Sequence, residues 1–131
     1  MLKHKEIYLL ALTLCVGLAA HAQVSLSDSK GAFPIVSGSR VTTVCYDSND
    51  AAVVAKVADL FADDVKAVGG CRPKVVTTLP TSAKSLIIVG TIGQSGPIDA
   101  LVRAGKIDVS NFAEGWERYG LFCVEDRKSV V

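Results

Sequence analysis

The sequence predicts an α/β fold: a two-layer sandwich in which a small mixed sheet carries its helices mainly on one face, truncated at its C-terminal end. Three observations predict it. Between residues 48 and 70, apolar side chains recur every three or four positions, the period of a helix seated on one face. Runs rich in β-branched residues flank that segment, "RVTTVCYD" at 40–47 and "RPKVVTT" at 72–78. The run "SLIIVG" at 85–90 holds consecutive apolar residues, as expected of a strand covered on both faces. Strands alternating with helices bury their apolar faces most simply as a layered α/β domain.

The elements follow in chain order. Residues 24–30 are polar and read as a lead-in. "AFPIVSG" at 32–38 suits a short edge strand, where Pro34 costs no ladder bond. The strand at 40–47 comes next, then the long helix. Ser48 or Asn49 is placed to cap its first amides, and Asp50 sits near the positive end of its dipole. Its expected buried stripe is Val54, Val57, Phe61, Val65 and Val68, and Gly69-Gly70 supplies the stop. A strand at 72–78, a Leu79-Pro80 turn and the strand at 85–90 follow. Pro97 fits the first turn of a second helix, "PIDALVRAG", with Gly105 at its end. A return to strand is expected around 119–124, and "EDRKSVV" reads as a turn leading into a strand that is cut off.

The strand-helix-strand unit from Val41 to Val76 should cross over right-handedly between parallel strands. Cys45 then lies near the exit of one strand and Cys71 before the entry of the next, roughly 13 Å apart at ~3.3 Å per residue. A disulfide needs Cα atoms within about 7 Å. These two cysteines are therefore expected to stay unbonded.

The first 22 residues belong to a different category. Lys3 and Lys5 precede an apolar run at 7–20, shorter than the ~20 residues a spanning helix needs. Ala20-His21-Ala22 supplies the small-x-small pattern of a cleavage site, which places the cut between Ala22 and Gln23. The expected division is a signal peptide at 1–22 and an incomplete amino-terminal α/β domain at 23–131. The expected address is secreted or periplasmic.

Composition excludes several functions. The net charge is +1 with no basic block, so no electrostatic footprint for nucleic acid or an anionic membrane is present. Both histidines, His4 and His21, lie in the leader, so the remainder holds no Ser-His or Cys-His pair. Cys45, Cys71 and Cys123 show neither C-x-x-C nor metal-site spacing, and their odd number leaves at least one thiol unpaired. No metal or cofactor is expected, and a homo-oligomer is compatible with the sequence.

The stretch "VGTIGQSGP" at 89–97 poses the sharpest question, since strand, glycine turn and helix is how many proteins hold a phosphate. Gly90, Gly93 and Gly96 give G-x-x-G-x-x-G and lack the close first pair of the dinucleotide fingerprint. The P-loop ending of Gly-Lys-Ser/Thr is replaced by Gln94-Ser95-Gly96-Pro97, and Pro97 removes a helix-terminal amide. A tight structural corner is the expectation. The Asp63-Asp64 pair reads as a solvated helix face. Asp47, Asn49 and Asp50 lack a calcium-loop frame and read as caps. Trp116 beside Glu117, Arg118 and Tyr119 is more often packing than a sugar platform. Gln94, Ser95 and Trp116 are the residues of this chain nearest to a substrate-binding candidacy; no catalytic set assembles.

"YDSNDAAVVAKVADLFADDVKAVGGCRPKVV" and "SLIIVGTIGQSGPIDALVRAGKIDVSNFAEGWERY" together resemble the amino-terminal region of glycoside hydrolase family 115, over residues 44–124. The corner "VGTIGQS", the turn "GKIDVS" and Trp116-Glu117 are the most specific parts. Cys71 departs from the basic or polar residue expected there. Members are secreted xylan α-glucuronidases, so the resemblance implies an exported hydrolase removing glucuronic acid or its 4-O-methyl form from glucuronoxylan. It also implies inverting chemistry by two carboxylates that lie on a later barrel domain, which makes xylan a partner only through that domain. No catalytic residue transfers to this chain, whose own role would be scaffold, inactive by itself. A stand-alone exported carbohydrate-binding or interaction module, or the equivalent domain of another polysaccharide-degrading family, is the alternative.

Overall fold

A computed structural model describes residue 27 and residues 30–112 and 117–125. The leader with its Ala22/Gln23 junction, Trp116, and the final turn and strand start at 126–131 lie outside the described residues.

The chain enters through a hairpin. β1 (Val36–Ser37) pairs antiparallel with β2 (Arg40–Val41), with Ser37 opposite Arg40. The two-residue connection is Gly38-Ser39, and Gly38 takes φ +59, the left-handed value that a Gly-X hairpin turn places at its first central position. The edge strand expected at 32–38 is thus the first arm of a hairpin. The strand expected at 40–47 is two strands, divided at Thr42. Thr42 is buried, its N–H donates to the Ile35 carbonyl at 2.9 Å, and its hydroxyl donates to the Pro34 carbonyl at 2.6 Å. Those bonds face the hairpin, whereas the next residues face the main sheet.

β3 (Thr43–Cys45), β4 (Val75–Val76) and β5 (Leu86–Ile88) form that main sheet in the order β4-β3-β5, and both pairings are parallel. The α/β class holds. The mixed character expected of one sheet is divided between two: an antiparallel hairpin and a wholly parallel sheet. Val44 and Cys45 are both fully buried. Neighbouring strand residues point to opposite faces, so β3 is covered above and below. β5 differs from the expectation of a strand covered on both faces. Its three residues are only partly buried, because among the described residues it pairs with β3 alone and so lies at an edge of the sheet. The register sets Cys45 beside Val76, with Cys71 beyond the far end of β4, and all three cysteines of the described residues are unbonded.

Helix α1 (Ala52–Gly69) makes the crossover and packs on β3 and β4. Its cap is Ala51, which offers no side-chain bond; Ser48 and Asn49 fall short of the helix. Asp50 serves instead by accepting the Ala51 N–H at 2.7 Å. The helix ends as expected, with Gly70 in the left-handed conformation and its N–H donated to the Lys66 carbonyl. The buried stripe is rotated from the expected one. Val54, Ala58 and Ala62 are buried with Phe61 and Val65 beside them, while Val57 and Val68 are exposed. The alanines, spaced i, i+4, let the helix backbone approach the sheet, whose own branched side chains fill the layer. On the polar side, Arg72 binds Asp63 at 2.8 Å and Asp59 at 3.1 Å, so Asp63 lies on a solvated, ion-paired face.

α2 (Gly96–Arg103) starts with Pro97 in its first turn, as expected. A single 3-10 turn (Ser110–Phe112) follows. Residues 117–125 form no strand, contrary to expectation. Phe122 stacks at a tilt on Phe112, ring centres 6.1 Å apart, and no strand among the described residues pairs with this segment. Among the described residues, no helix is long and apolar enough to cross a membrane.

Candidate functional site

The strand order reverses about β3: the next strand in the chain lies on one side and the following one on the other. In open parallel sheets, ligands bind in the crevice outside the carboxyl ends of the strands where the order reverses. Cys45 stands beside Ile88 in parallel register, so the loops after β3 and β5 leave the sheet together. They carry Asp47-Ser48-Asn49-Asp50 and Gly90-Thr91-Ile92-Gly93-Gln94-Ser95. This pair of loops is the candidate site.

The second loop turns tightly. The Val89 N–H donates to the Cys45 carbonyl at 2.9 Å, which keeps the strands joined up to the corner. The Gln94 and Ser95 N–H groups both donate to the Thr91 carbonyl, at 3.1 and 2.9 Å. Ser95 caps α2 from a fully buried position, against Gly90. A Cβ at Gly90 would stand 2.5 Å from the Ser95 Oγ and 2.6 Å from its Cβ, so this approach is open only to glycine.

Three further amides of this corner are taken by carboxylates of the chain itself. Asp50 Oδ2 accepts the Thr91 N–H at 2.7 Å, and Asp47 Oδ2 accepts the Gly96 N–H at 2.9 Å. Asp99 Oδ1 accepts the Gly93 N–H at 2.8 Å from the first turns of α2. Asp47 Oδ1 accepts from the Asn49 backbone and side chain, closing the first loop on itself. The amides of Asn49 and Gly96 hold the Asp47 carboxyl below its ordinary value. Burial pushes the Asp50 carboxyl up, and donors on Thr91 together with the Ala51 amide outweigh it and leave it lowered. The donors around Asp47 and Asp50 thus favour the charged form of both.

The chemistry follows from that occupancy. Thr91, Gly93, Gln94, Ser95 and Gly96 donate their N–H groups within the chain, and Pro97 has none. An incoming phosphate would have to displace carboxylates and then sit among them, against like-charge repulsion. The site is thus a closed turn whose anions are built in. Among the described residues, no group of three or more His, Cys, Asp or Glu side chains is arranged to hold a metal.

Of the residues singled out from sequence, Gln94 is exposed at the tip of this corner and Ser95 is buried beneath it. The Ser95 hydroxyl finds no hydrogen-bond partner among the described residues. Trp116 lies outside them. Two open depressions lie elsewhere. One, of about 520 Å³, is lined by Tyr46, Asp59, Val75, Val76, Thr77 and Thr78 beyond β3 and β4. The other, of about 370 Å³, lies between Asn111-Phe112 and Glu117-Arg118-Tyr119. Sequence reasoning missed the bridging role of Asp47, Asp50 and Asp99. The available signal was their position: two follow one strand, and one opens the helix after its parallel neighbour. No family model matches the chain, and no curated protein matches it.

Proposed function

We propose that residues 23–131 form a non-catalytic scaffold domain of a secreted carbohydrate-active enzyme, an α-glucuronidase acting on glucuronoxylan. The observation that carries the scaffold half of this reading is the corner. A loop in the position where parallel sheets hold ligands has given three of its amides to Asp47, Asp50 and Asp99, bonds that tie it to the loop after β3 and to the start of α2. The hydrolase half rests on the resemblance of "VGTIGQS", "GKIDVS" and the long helix to the amino-terminal region of family 115. Under this reading the acid and base that cleave the glycosidic bond belong to a barrel in the same polypeptide. The secreted or periplasmic address rests on the leader.

The test is expression of the complete reading frame that contains this segment, followed by incubation with glucuronoxylan and detection of free 4-O-methylglucuronic acid. Release by the complete product, with none from residues 23–131 alone, is the expected result. A complete product that releases no uronic acid removes the hydrolase reading. Retention of xylan without cleavage would select the alternative, an exported binding module.

A further inference from the structure

The helix α1 carries a second apolar stripe that the sheet does not use. Val53, Val57, Leu60 and Val68 are 63%, 47%, 49% and 79% exposed. With Asp64 they follow the spacing i, i+4, i+7, i+11, i+15, which is one continuous face at 3.6 residues per turn. That face is turned well away from the buried stripe of Val54, Ala58 and Ala62, and away from the Arg72 ion pairs. Four exposed apolar side chains on one helix face, with Asp64 set among them, are more than the singly scattered ones of an ordinary surface.

Its charges say what fits. Lys56 borders the stripe one turn before Leu60, and Asp64 lies within it one turn after. Both are exposed, and neither forms an ion pair among the described residues. The pattern is its own complement when reversed. In an antiparallel pair of α1 helices centred on Leu60, Leu60 meets Leu60 and Val57 lies beside it. Lys56 of each copy then faces Asp64 of the other, giving two identical ion pairs. Val53 reaches Ala67 and Val68 of the opposite helix. A two-fold interface needs this property, the same patch on both sides.

We propose that α1 is a homodimerisation helix, pairing antiparallel with a second copy through Val53, Val57, Leu60 and Val68 and held in register by Lys56 and Asp64. The inference is independent of the glycosidase reading. The test is sedimentation equilibrium of the full chain and of charge-exchanged variants, with circular dichroism to show that each is folded. The wild type should dimerise reversibly. Lys56→Glu and Asp64→Lys each place like charges opposite one another and should weaken association by roughly tenfold or more. Mixing the two variants restores both opposite-charge contacts and should recover the dimer, as should the double variant. A wild type that stays monomeric at every concentration overturns the proposal, whether the face is then bare or lies under another part of the chain. A dimer indifferent to the single exchanges, or singles that fail to rescue one another on mixing, overturns it equally.

Discussion

At the scale of single residues, the corner after β5 is held by close approach. Gly90 gives the buried Ser95 the space that any side chain would occupy, with the Ile98 Cγ1 also 3.0 Å from a Cβ built there. Gly90→Ala must therefore push the first turn of α2 away from the strand that delivers it. The expected cost is roughly 1–3 kcal/mol, the usual range for overpacking a filled site. The partner substitution identifies the cause. Ser95→Gly removes both atoms that the new methyl would strike, and glycine is tolerated at a helix N-cap at a cost of only a few tenths of a kcal/mol. The double variant Gly90→Ala/Ser95→Gly should regain most of the loss in a urea unfolding series. Equal loss in single and double variants would place the clash against Ile98 instead. The spacing of these glycines was visible in the sequence. What Gly90 makes room for was not, since Ser95 reads as an ordinary polar cap until the turn folds it inward.

At the scale of elements, α1 shows where a periodic pattern informs and where it misleads. Helix type, approximate length and the left-handed stop at Gly70 all follow from local chemistry, and all are found. The buried face does not follow, because valine is apolar whichever way it points and alanine carries little weight in a pattern. The close approach of helix and sheet selects Ala58 and Ala62 for the interface and leaves Val57 and Val68 outside. Substitution separates the two faces. Ala62→Leu adds three carbons to a fully buried position and should cost roughly 1–3 kcal/mol. Val68→Ala trims an exposed side chain and should stay within about 0.5 kcal/mol. Thermal unfolding of the two variants at one dilute protein concentration is sufficient. A destabilising Val68→Ala beside a neutral Ala62→Leu would restore the stripe read from sequence. The hairpin of β1 and β2 was legible in principle, since Gly-Ser between short β-prone runs is a turn signal. It was obscured because β2 and β3 follow one another with only Thr42 between them.

At the scale of the whole molecule, stability depends on contacts that no local pattern could announce. The bond from Thr91 to Asp50 spans 41 positions of sequence, and that from Gly96 to Asp47 spans 49. They exist because the parallel sheet brings two loop mouths together, and they set the response of the domain to pH. Amide donors lower Asp47. Burial opposes but does not overcome the donors that lower Asp50. Hydrogen bonding from Arg72 lowers Asp63, and the Ser110 amide lowers Asp108. A carboxyl whose folded value lies below its unfolded value of about 3.9 stabilises the fold fully above that value and loses the contribution as pH falls through the folded value. Cys45 has the opposite sense. Burial, assisted by the Asp47 charge, pushes its thiol up. Its contribution is complete below the unfolded value of about 8.5 and fades as pH rises towards the folded value. The urea midpoint should therefore be level between about pH 5 and pH 8. It should drop on the acid side below about pH 4, where these carboxyls take up protons on unfolding, and decline more gently above about pH 9. Asp47→Asn/Asp50→Asn lowers the plateau and flattens the acid limb, because the carboxylates that must be protonated there are gone. Cys45→Ala removes the alkaline limb and leaves the acid one unchanged. An acid limb as steep in the double asparagine variant as in the wild type would show that the corner carboxylates do not couple the two loops.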